Sequence, residues 1–186
     1  MNEEKSKKML AVMIEKQKAY DQAVLEKMGM SKPPKMENIV LALIDEMGEL
    51  NHELKSDWCY WKKSQKQKDK IAIGEELADV WHFALSLICY TGCDKYVLKK
   101  IQFDGSLTNR KDLPISFYET RILDKAETIR RYFDMSVVCV YIQNSAYLMI
   151  AHLIDFSARL GYDFDKVYIE YWRKNEKNWD RVRGNY

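Results

Sequence analysis

Apolar side chains recur at the spacing of a helical turn along six long segments of this chain, and few residues interrupt the pattern. The 186-residue sequence has only seven glycines and three prolines, too few for the many turns of a sandwich or barrel. No segment alternates convincingly between apolar and polar residues, as a half-buried strand would. The pattern therefore predicts an all-α fold, a compact antiparallel bundle of about six helices.

Glycine and proline mark where the predicted helices end. We expect helices over about residues 4–27, 35–55, 70–90, 114–133, 136–159 and from 163 onwards. Gly29, Gly92 and Gly161 follow the first, third and fifth of these helices. The fifth segment is almost continuously apolar, which indicates a central position, whereas residues 94–113 are the least regular part of the chain.

The overall composition excludes several classes of partner. Thirty basic and 28 acidic side chains give a net charge of +2, so bulk charge does not indicate a nucleic-acid binder. No apolar run is long enough to span a membrane, and the N terminus has no apolar core of a signal peptide. The four cysteines do not have the spacing of a zinc site. We therefore expect reduced thiols and a cytoplasmic protein.

Two pairs of carboxylates border the apolar faces of the second and third predicted helices. Glu46 and Glu49 lie on the second helix, and Glu76 and Asp79 lie on the third. A helix turns by about 100° per residue, so the members of each pair share one strip with apolar neighbours. If the two helices pack antiparallel, the four carboxylates converge.

Converging carboxylates need a positive charge. Two like charges about 4 Å apart repel by about 4 kcal/mol at an effective dielectric constant of about 20. No lysine or arginine lies on either strip, so we expect a bound cation to compensate. Carboxylate oxygens suit Mg²⁺, with Mn²⁺ as a substitute, and such a Mg²⁺ usually completes its shell with substrate phosphates. The pattern therefore indicates hydrolysis of a phosphoanhydride.

Four motifs follow one another along the chain. They are Gln17-Lys-Ala-Tyr20-Asp21, Glu46-Met-Gly-Glu49-Leu50 with the turn Trp58-Cys-Tyr-Trp61 behind it, Glu75-Glu76-Leu-Ala-Asp79-Val-Trp-His82-Phe83, and Lys174-Asn175-Glu-Lys-Asn178-Trp-Asp-Arg181. In this order they resemble the motifs of the dimeric dUTPases, within the superfamily of all-α nucleotide pyrophosphohydrolases that includes MazG-like enzymes. The resemblance covers about residues 9–91 and 163–186. Cys59 departs from it, because the family usually has a lysine at this position.

The resemblance implies an enzyme and the roles of its acidic residues. It implies a single all-α dUTPase-like domain over residues 1–186, with 94–133 as a family-variable insert and a homodimer completing the bundle. The implied activity is a Mg²⁺-dependent dUTP diphosphatase that converts dUTP, and also dUDP, to dUMP and so keeps uracil out of DNA. The expected metal ligands are Glu46, Glu49, Glu76 and Asp79. Glu49 is expected to be the catalytic residue that orients or deprotonates the attacking water.

Nine further side chains are candidates for binding the deoxyuridine nucleotide: Gln17, Asp21, Trp61, His82, Phe83, Lys174, Asn175, Asn178 and Arg181. By resemblance, the first four line the base and sugar pocket. The Phe83 ring can stack on a pyrimidine, the basic side chains of the last helix suit phosphate oxygens, and an asparagine amide can read a uracil edge. The alternatives are core packing for Phe83, structural packing for Trp61, a surface position for His82 and a solvated end for the last helix.

Two other functions remain open at this point. A relative that acts on dCTP, or on a broader range of nucleoside triphosphates, is the nearest, because an asparagine amide can pair with uracil or, turned over, with cytosine. A non-catalytic helical regulatory or interaction protein belongs to a different class, and residues 94–133 would offer it a partner surface. Four converging carboxylates argue against that class, because a pure binding module does not need them.

Overall fold

Helices make up nearly all of the regular structure. The computed structural model describes residues 3–64, 67–103, 113–134 and 139–184. Its helices are α1 (Glu3–Lys27), α2 (Met36–Glu53), α3 (Lys55–Trp58), α4 (Lys70–Tyr90), α5 (Asp94–Lys100), α6 (Ile115–Asp134), α7 (Cys139–Arg159) and α8 (Phe164–Val182). No strand occurs among these described residues. The prediction of an all-α fold is therefore confirmed.

The six predicted helices correspond to α1, α2, α4, α6, α7 and α8, and the two short helices α3 and α5 were missed. α5 lies in the stretch 94–113 that was predicted to be irregular. Seven residues are too few for a periodic pattern to show, and α5 is held by packing against α1 and α7. An ion pair between Lys18 and Asp94, with 2.8 Å between Nζ and Oδ2, joins α5 to α1.

Capping residues fix where the helices that carry the candidate site begin. The Asp69 side chain accepts hydrogen bonds from the backbone N–H groups of Ile71 and Ala72, at 2.9 and 3.3 Å. The Asp163 side chain accepts one from the N–H of Lys166 at 2.9 Å. Both are N-caps, which satisfy backbone donors that a helix start leaves free. They define the first turns of α4 and α8.

The central helix of the bundle is α4 rather than α7. α4 packs against α1, α2, α7 and α8, and its residues Trp81 and Leu85 have no exposed surface. The indole N–H of Trp81 donates a hydrogen bond to the Ser157 hydroxyl of α7 at 3.1 Å. α7 is buried over its second half, whereas its first turn exposes Val140 and Tyr141. The apolar sequence of α7 is thus used largely within the chain.

α8 approaches α4 closely because Gly74 has no side chain. A Cβ atom at Gly74 would lie 3.1 Å from Cε1 of Tyr162 and 3.2 Å from Cγ of Glu170. The Tyr162 hydroxyl, just before α8, donates a hydrogen bond to the carbonyl of Lys70 at the start of α4. This close approach brings the polar face of α8 against the acidic face of α4. Among the described residues, none of the helices has both the length and the apolar composition needed to cross a bilayer.

Candidate active site

Three carboxylates meet where α2 packs against α4. One oxygen from each of Glu46, Glu49 and Glu76 lies within 4.8 Å of the other two. Glu46 and Glu76 are half-buried and Glu49 is exposed, so the cluster lies at the surface of the bundle. Residues three apart on one helix share a face, and the packing of α2 on α4 brings the two acidic faces together. Solvent and ions can reach this cluster.

The fourth predicted carboxylate, Asp79, lies deeper and has a cationic partner. Only 8% of Asp79 is exposed, and its carboxylate forms an ion pair with the ammonium group of Lys174 on α8. Neither acidic strip carries a lysine or arginine of its own, but a side-chain cation offsets part of the negative charge. The cation comes from a third helix, which the separate analysis of α2 and α4 could not show. Arg181 of α8 also stabilises the negative charge of Asp79.

Burial and mutual repulsion change the acidity of this cluster. Burial raises the pKa of Glu46 to about 7, and the charges of Asp79, Glu49 and Glu76 add to the effect. Burial likewise raises the pKa values of Glu76 and Asp79, although Lys174 opposes the rise in both. One ammonium group cannot neutralise four carboxylates, so the cluster keeps an excess of negative charge.

The donor set of the cluster fits a divalent cation. All four groups offer hard carboxylate oxygens, which Mg²⁺ and Mn²⁺ prefer. The Oε2 atom of Glu76 is buried and has no hydrogen-bond partner, so it has an unused lone pair. A cleft of about 490 Å³ opens beside the cluster, lined in part by Gly48, Glu49, His52 and Glu76. Its volume is within the usual range for small-molecule sites.

A second polar region lies between α1, α4 and α8, and Gln17 is at its centre. The Gln17 amide nitrogen donates to Asp21 at 2.8 Å and to the Ser86 hydroxyl at 2.9 Å. Its amide oxygen accepts a hydrogen bond from the Tyr171 hydroxyl at 3.0 Å and lies 2.6 Å from Nδ1 of His82. Only 1% of Gln17 is exposed, and every hydrogen-bonding position of its side chain has a partner within the protein.

His82 belongs to this region and is not a surface residue. It is 4% exposed and stacks on Tyr171, with ring centroids 4.3 Å apart. Burial lowers its pKa to about 3, so the ring is neutral. Because the oxygen of Gln17 accepts, we assign the ring proton to Nδ1 from the hydrogen-bond network. The Nε2 atom is then a buried acceptor without a partner.

Asp21 completes the region with a second unused acceptor. Burial raises the pKa of Asp21 to about 6, against the effect of its hydrogen bonds from Gln17 and Ser86. Its Oδ2 atom is buried and unpartnered. Ser86 and Tyr171 also belong to this region, and neither was predicted from the sequence as a site residue. Ser86 lies one turn beyond His82 on α4, and this spacing was a signal that could have identified it.

The asparagines of α8 face the interior, while the arginine lies at the surface. Asn175 is buried, and its amide nitrogen has no hydrogen-bond partner. Asn178 is also buried, and its amide oxygen accepts a hydrogen bond from the exposed Arg181 at 3.1 Å. The alternative of a wholly solvated end of the last helix is therefore wrong for the two asparagines.

The aromatic turn after α2 is largely exposed, in contrast to Phe83. Trp61 is 61% exposed, and its ring centroid lies 5.6 Å from that of Trp58 and 5.2 Å from that of Tyr60. Trp61 therefore packs on its neighbours at the surface, whereas Phe83 is half-buried and packs against the hydrophobic core. Cys59, which stands where the family usually has lysine, is buried. A cation for phosphate must come from elsewhere.

The fold and the site together define a class of protein. An all-α bundle with clustered carboxylates, a cleft beside them and basic residues from a third helix has the features expected of an all-α nucleotide pyrophosphohydrolase. A family model described as dUTPase matches residues 9–186. The chain therefore belongs to the dUTPase family, and its activity is that of a dUTP diphosphatase, a hydrolase with a nucleotide substrate. The family suggests a requirement for a divalent metal ion. A comparison with curated protein sequences finds no match.

Proposed function

We propose that this dUTPase depends on Mg²⁺, with Mn²⁺ as a substitute, and that Glu46, Glu49, Glu76 and Asp79 hold the metal. The observation that carries the proposal is the convergence of three carboxylate oxygens within 4.8 Å, with Asp79 close enough to add to the charge on Glu46. Bound at such a site, Mg²⁺ neutralises phosphate charge and acidifies a coordinated water. The reaction would convert dUTP and water to dUMP and pyrophosphate.

The side chains around the cleft would activate the attacking water and bind the phosphate chain. Glu49 is the exposed acid of the cluster and also lines the cleft, so it is placed to orient the attacking water or to accept its proton. Lys174 and Arg181 lie on α8 near Asp79, and they would hold phosphate oxygens. A metal that binds two adjacent phosphates of the nucleotide would also allow hydrolysis of dUDP.

The polar region between α1, α4 and α8 would recognise the base. The free amide donor of Asn175 can bind a uracil carbonyl, and the free Nε2 acceptor of His82 can accept from the uracil N3–H. Cytosine presents an unprotonated N3 instead, so two acceptors would face each other. A buried polar group left without a partner costs about 1–3 kcal/mol, which favours uracil by roughly ten- to a hundredfold. The exposed ring of Trp61 would cover the face of the base.

The quaternary structure and location are also proposals. We expect a homodimer, because α2 exposes Leu41 and Ile44 next to the cleft and α7 exposes Val140 and Tyr141 at its start. Sedimentation at micromolar concentration should give about twice 22.1 kDa, and a fully active monomer would contradict this. A cytoplasmic location is supported by the free thiol of Cys89.

A hydrolysis assay tests the proposed activity. Purified protein should release product from dUTP and dUDP with Mg²⁺ or Mn²⁺, and should stop when a chelator is added. dTTP and dCTP should be much poorer substrates. Comparable kcat/KM for dCTP and dUTP would support the broader-range enzyme instead. Absence of turnover with all common nucleotides would support the non-catalytic interaction protein.

A further inference from the structure

The ion pair between Lys174 and Asp79 joins α8 to α4 at the edge of the carboxylate cluster. This ion pair is largely protected from solvent, because only 15% of the Lys174 side chain and 11% of the Asp79 side chain are exposed. Exposed ion pairs are weakened by solvent, whereas a pair with so little contact with water keeps more of its attraction. Asp79 is therefore held by Lys174 and not simply near it.

This contact conflicts with a complete metal site. The Asp79 carboxylate would have to serve an ammonium group and a divalent cation at the same position. An ammonium group has three donors and no lone pair, so it cannot be a ligand, and it repels a cation placed beside it. The other three acids converge without Asp79, since one oxygen from each lies within 4.8 Å of the other two.

We propose that Lys174 is a positioning residue that withholds Asp79 from the metal site until the phosphate chain of the nucleotide draws the ammonium group away. The proposal rests on the proposed function, since it takes the four acids as the metal ligands. The phosphate chain offers Lys174 a new set of anionic oxygens, and the flexible stem of lysine can change partners without moving α8. The freed Asp79 then completes the site.

If Lys174 leaves Asp79 for the phosphate chain, metal and nucleotide bind cooperatively. If the nucleotide raises the affinity for metal by removing Lys174 from Asp79, the metal raises the affinity for nucleotide by the same factor. Without substrate, the metal can complete the site only by displacing Lys174 from Asp79 itself, which takes a higher metal concentration. The structure also offers a matched control, since Lys177 lies one turn further along α8 and pairs with Glu75, outside the four acids.

The first experiment measures Mn²⁺ affinity without nucleotide, by electron paramagnetic resonance of free Mn²⁺. We expect Lys174→Met to bind Mn²⁺ about tenfold more tightly than the wild type, because a competing cation is lost from a poorly solvated position. Lys177→Met removes the same charge from an exposed pair and should change the affinity by less than about threefold. Equal or weaker binding by Lys174→Met would overturn the proposal, as would an equal gain in both variants.

The second experiment uses the wild-type protein, so it decides the matter even if Lys174→Met fails to fold. Brief acylation of lysines, read by mass spectrometry, should label Lys174 several-fold faster with saturating Mn²⁺ than with a chelator, relative to Lys177. Unchanged or slower labelling would overturn the proposal. If the wild type hydrolyses dUTP and binds Mn²⁺ while Lys174 behaves as Lys177 does, only the role of Lys174 fails. If the wild type binds no Mn²⁺, the metal site itself is wrong and this proposal falls with it.

Discussion

The two polar regions of this protein share α4 but differ in how far their polar groups are paired within the protein. At the α2–α4 contact, like charges are gathered and only partly compensated, and Glu49 is exposed to solvent. Between α1, α4 and α8, the groups around Gln17 are buried and form a nearly complete hydrogen-bond network. Burying polar groups is tolerated when they are paired, and an excess of like charge needs an outside partner. We therefore expect substitutions within the buried network to lower mainly stability, and substitutions within the acidic cluster to lower mainly turnover.

The largest expected effect is on catalysis, at the cluster. We expect Glu49→Gln to lower kcat by about 10²–10⁴-fold, the usual range for loss of a general base. Stability should stay the same or rise slightly, because a repelling charge is removed from an exposed position. Steady-state kinetics with dUTP and thermal melting measure both. Glu37→Gln, on an exposed position of the same helix, is the control and should keep normal turnover. A Glu49→Gln variant with near-normal kcat would rule out the assigned role.

The next effect is on stability, at the network. We expect Gln17→Ala to lower the free energy of unfolding by about 2–4 kcal/mol, because buried groups of four partners lose their hydrogen bonds. Urea denaturation followed by far-ultraviolet circular dichroism measures the loss. Gln22→Ala is the matched control on α1, since Gln22 is exposed and bonds only to Glu26 among the contacts described. It should cost less than about 0.5 kcal/mol. Similar losses in both variants would contradict the stabilising role of the network.

The smallest effect is a difference in the pH dependence of stability. The pKa of Glu46 is raised from 4.5 to about 7 in the folded protein. The folded state therefore holds this proton more tightly than the unfolded chain, and Glu46 weakens the fold progressively as the pH rises from about 4.5 to about 7. Glu46→Gln should match the wild-type Tm near pH 4.5 and exceed it by a few degrees at pH 7 and above, in thermal melts with chelator.

Within the network, His82 contributes with the opposite sign over much of the same pH range, whereas Asp21, whose pKa is raised to about 6, contributes with the same sign as Glu46. The pKa of His82 is lowered from 6.5 to about 3, so protonation of the unfolded chain weakens the fold as the pH falls below 6.5. This contribution is common to the wild type and Glu46→Gln, and it cancels in their difference. A pH-independent difference for Glu46→Gln would show that the pKa of Glu46 is not raised in the folded protein.

The long helices could be predicted from the sequence because their signals are local. The spacing of apolar residues and glycines such as Gly92 and Gly161 act within one or two turns, and the six long helices appear where these signals place them. α5 has only seven residues, and its helix depends on contacts with α1 and α7. Its formation is a consequence of packing, which periodicity does not record.

The candidate site likewise has features that follow from local sequence and features that depend on packing. Glu46 and Glu49, like Glu76 and Asp79, are three residues apart on one helix, so the sequence alone determined that each pair shares a face. Only the tertiary structure decided that Lys174, 95 positions beyond Asp79, pairs with it, and that His82 meets Gln17 across 65 positions. A helix fixes the relative direction of its own side chains, but the close approach of two helices depends on the shapes packed between them, such as the missing side chain of Gly74.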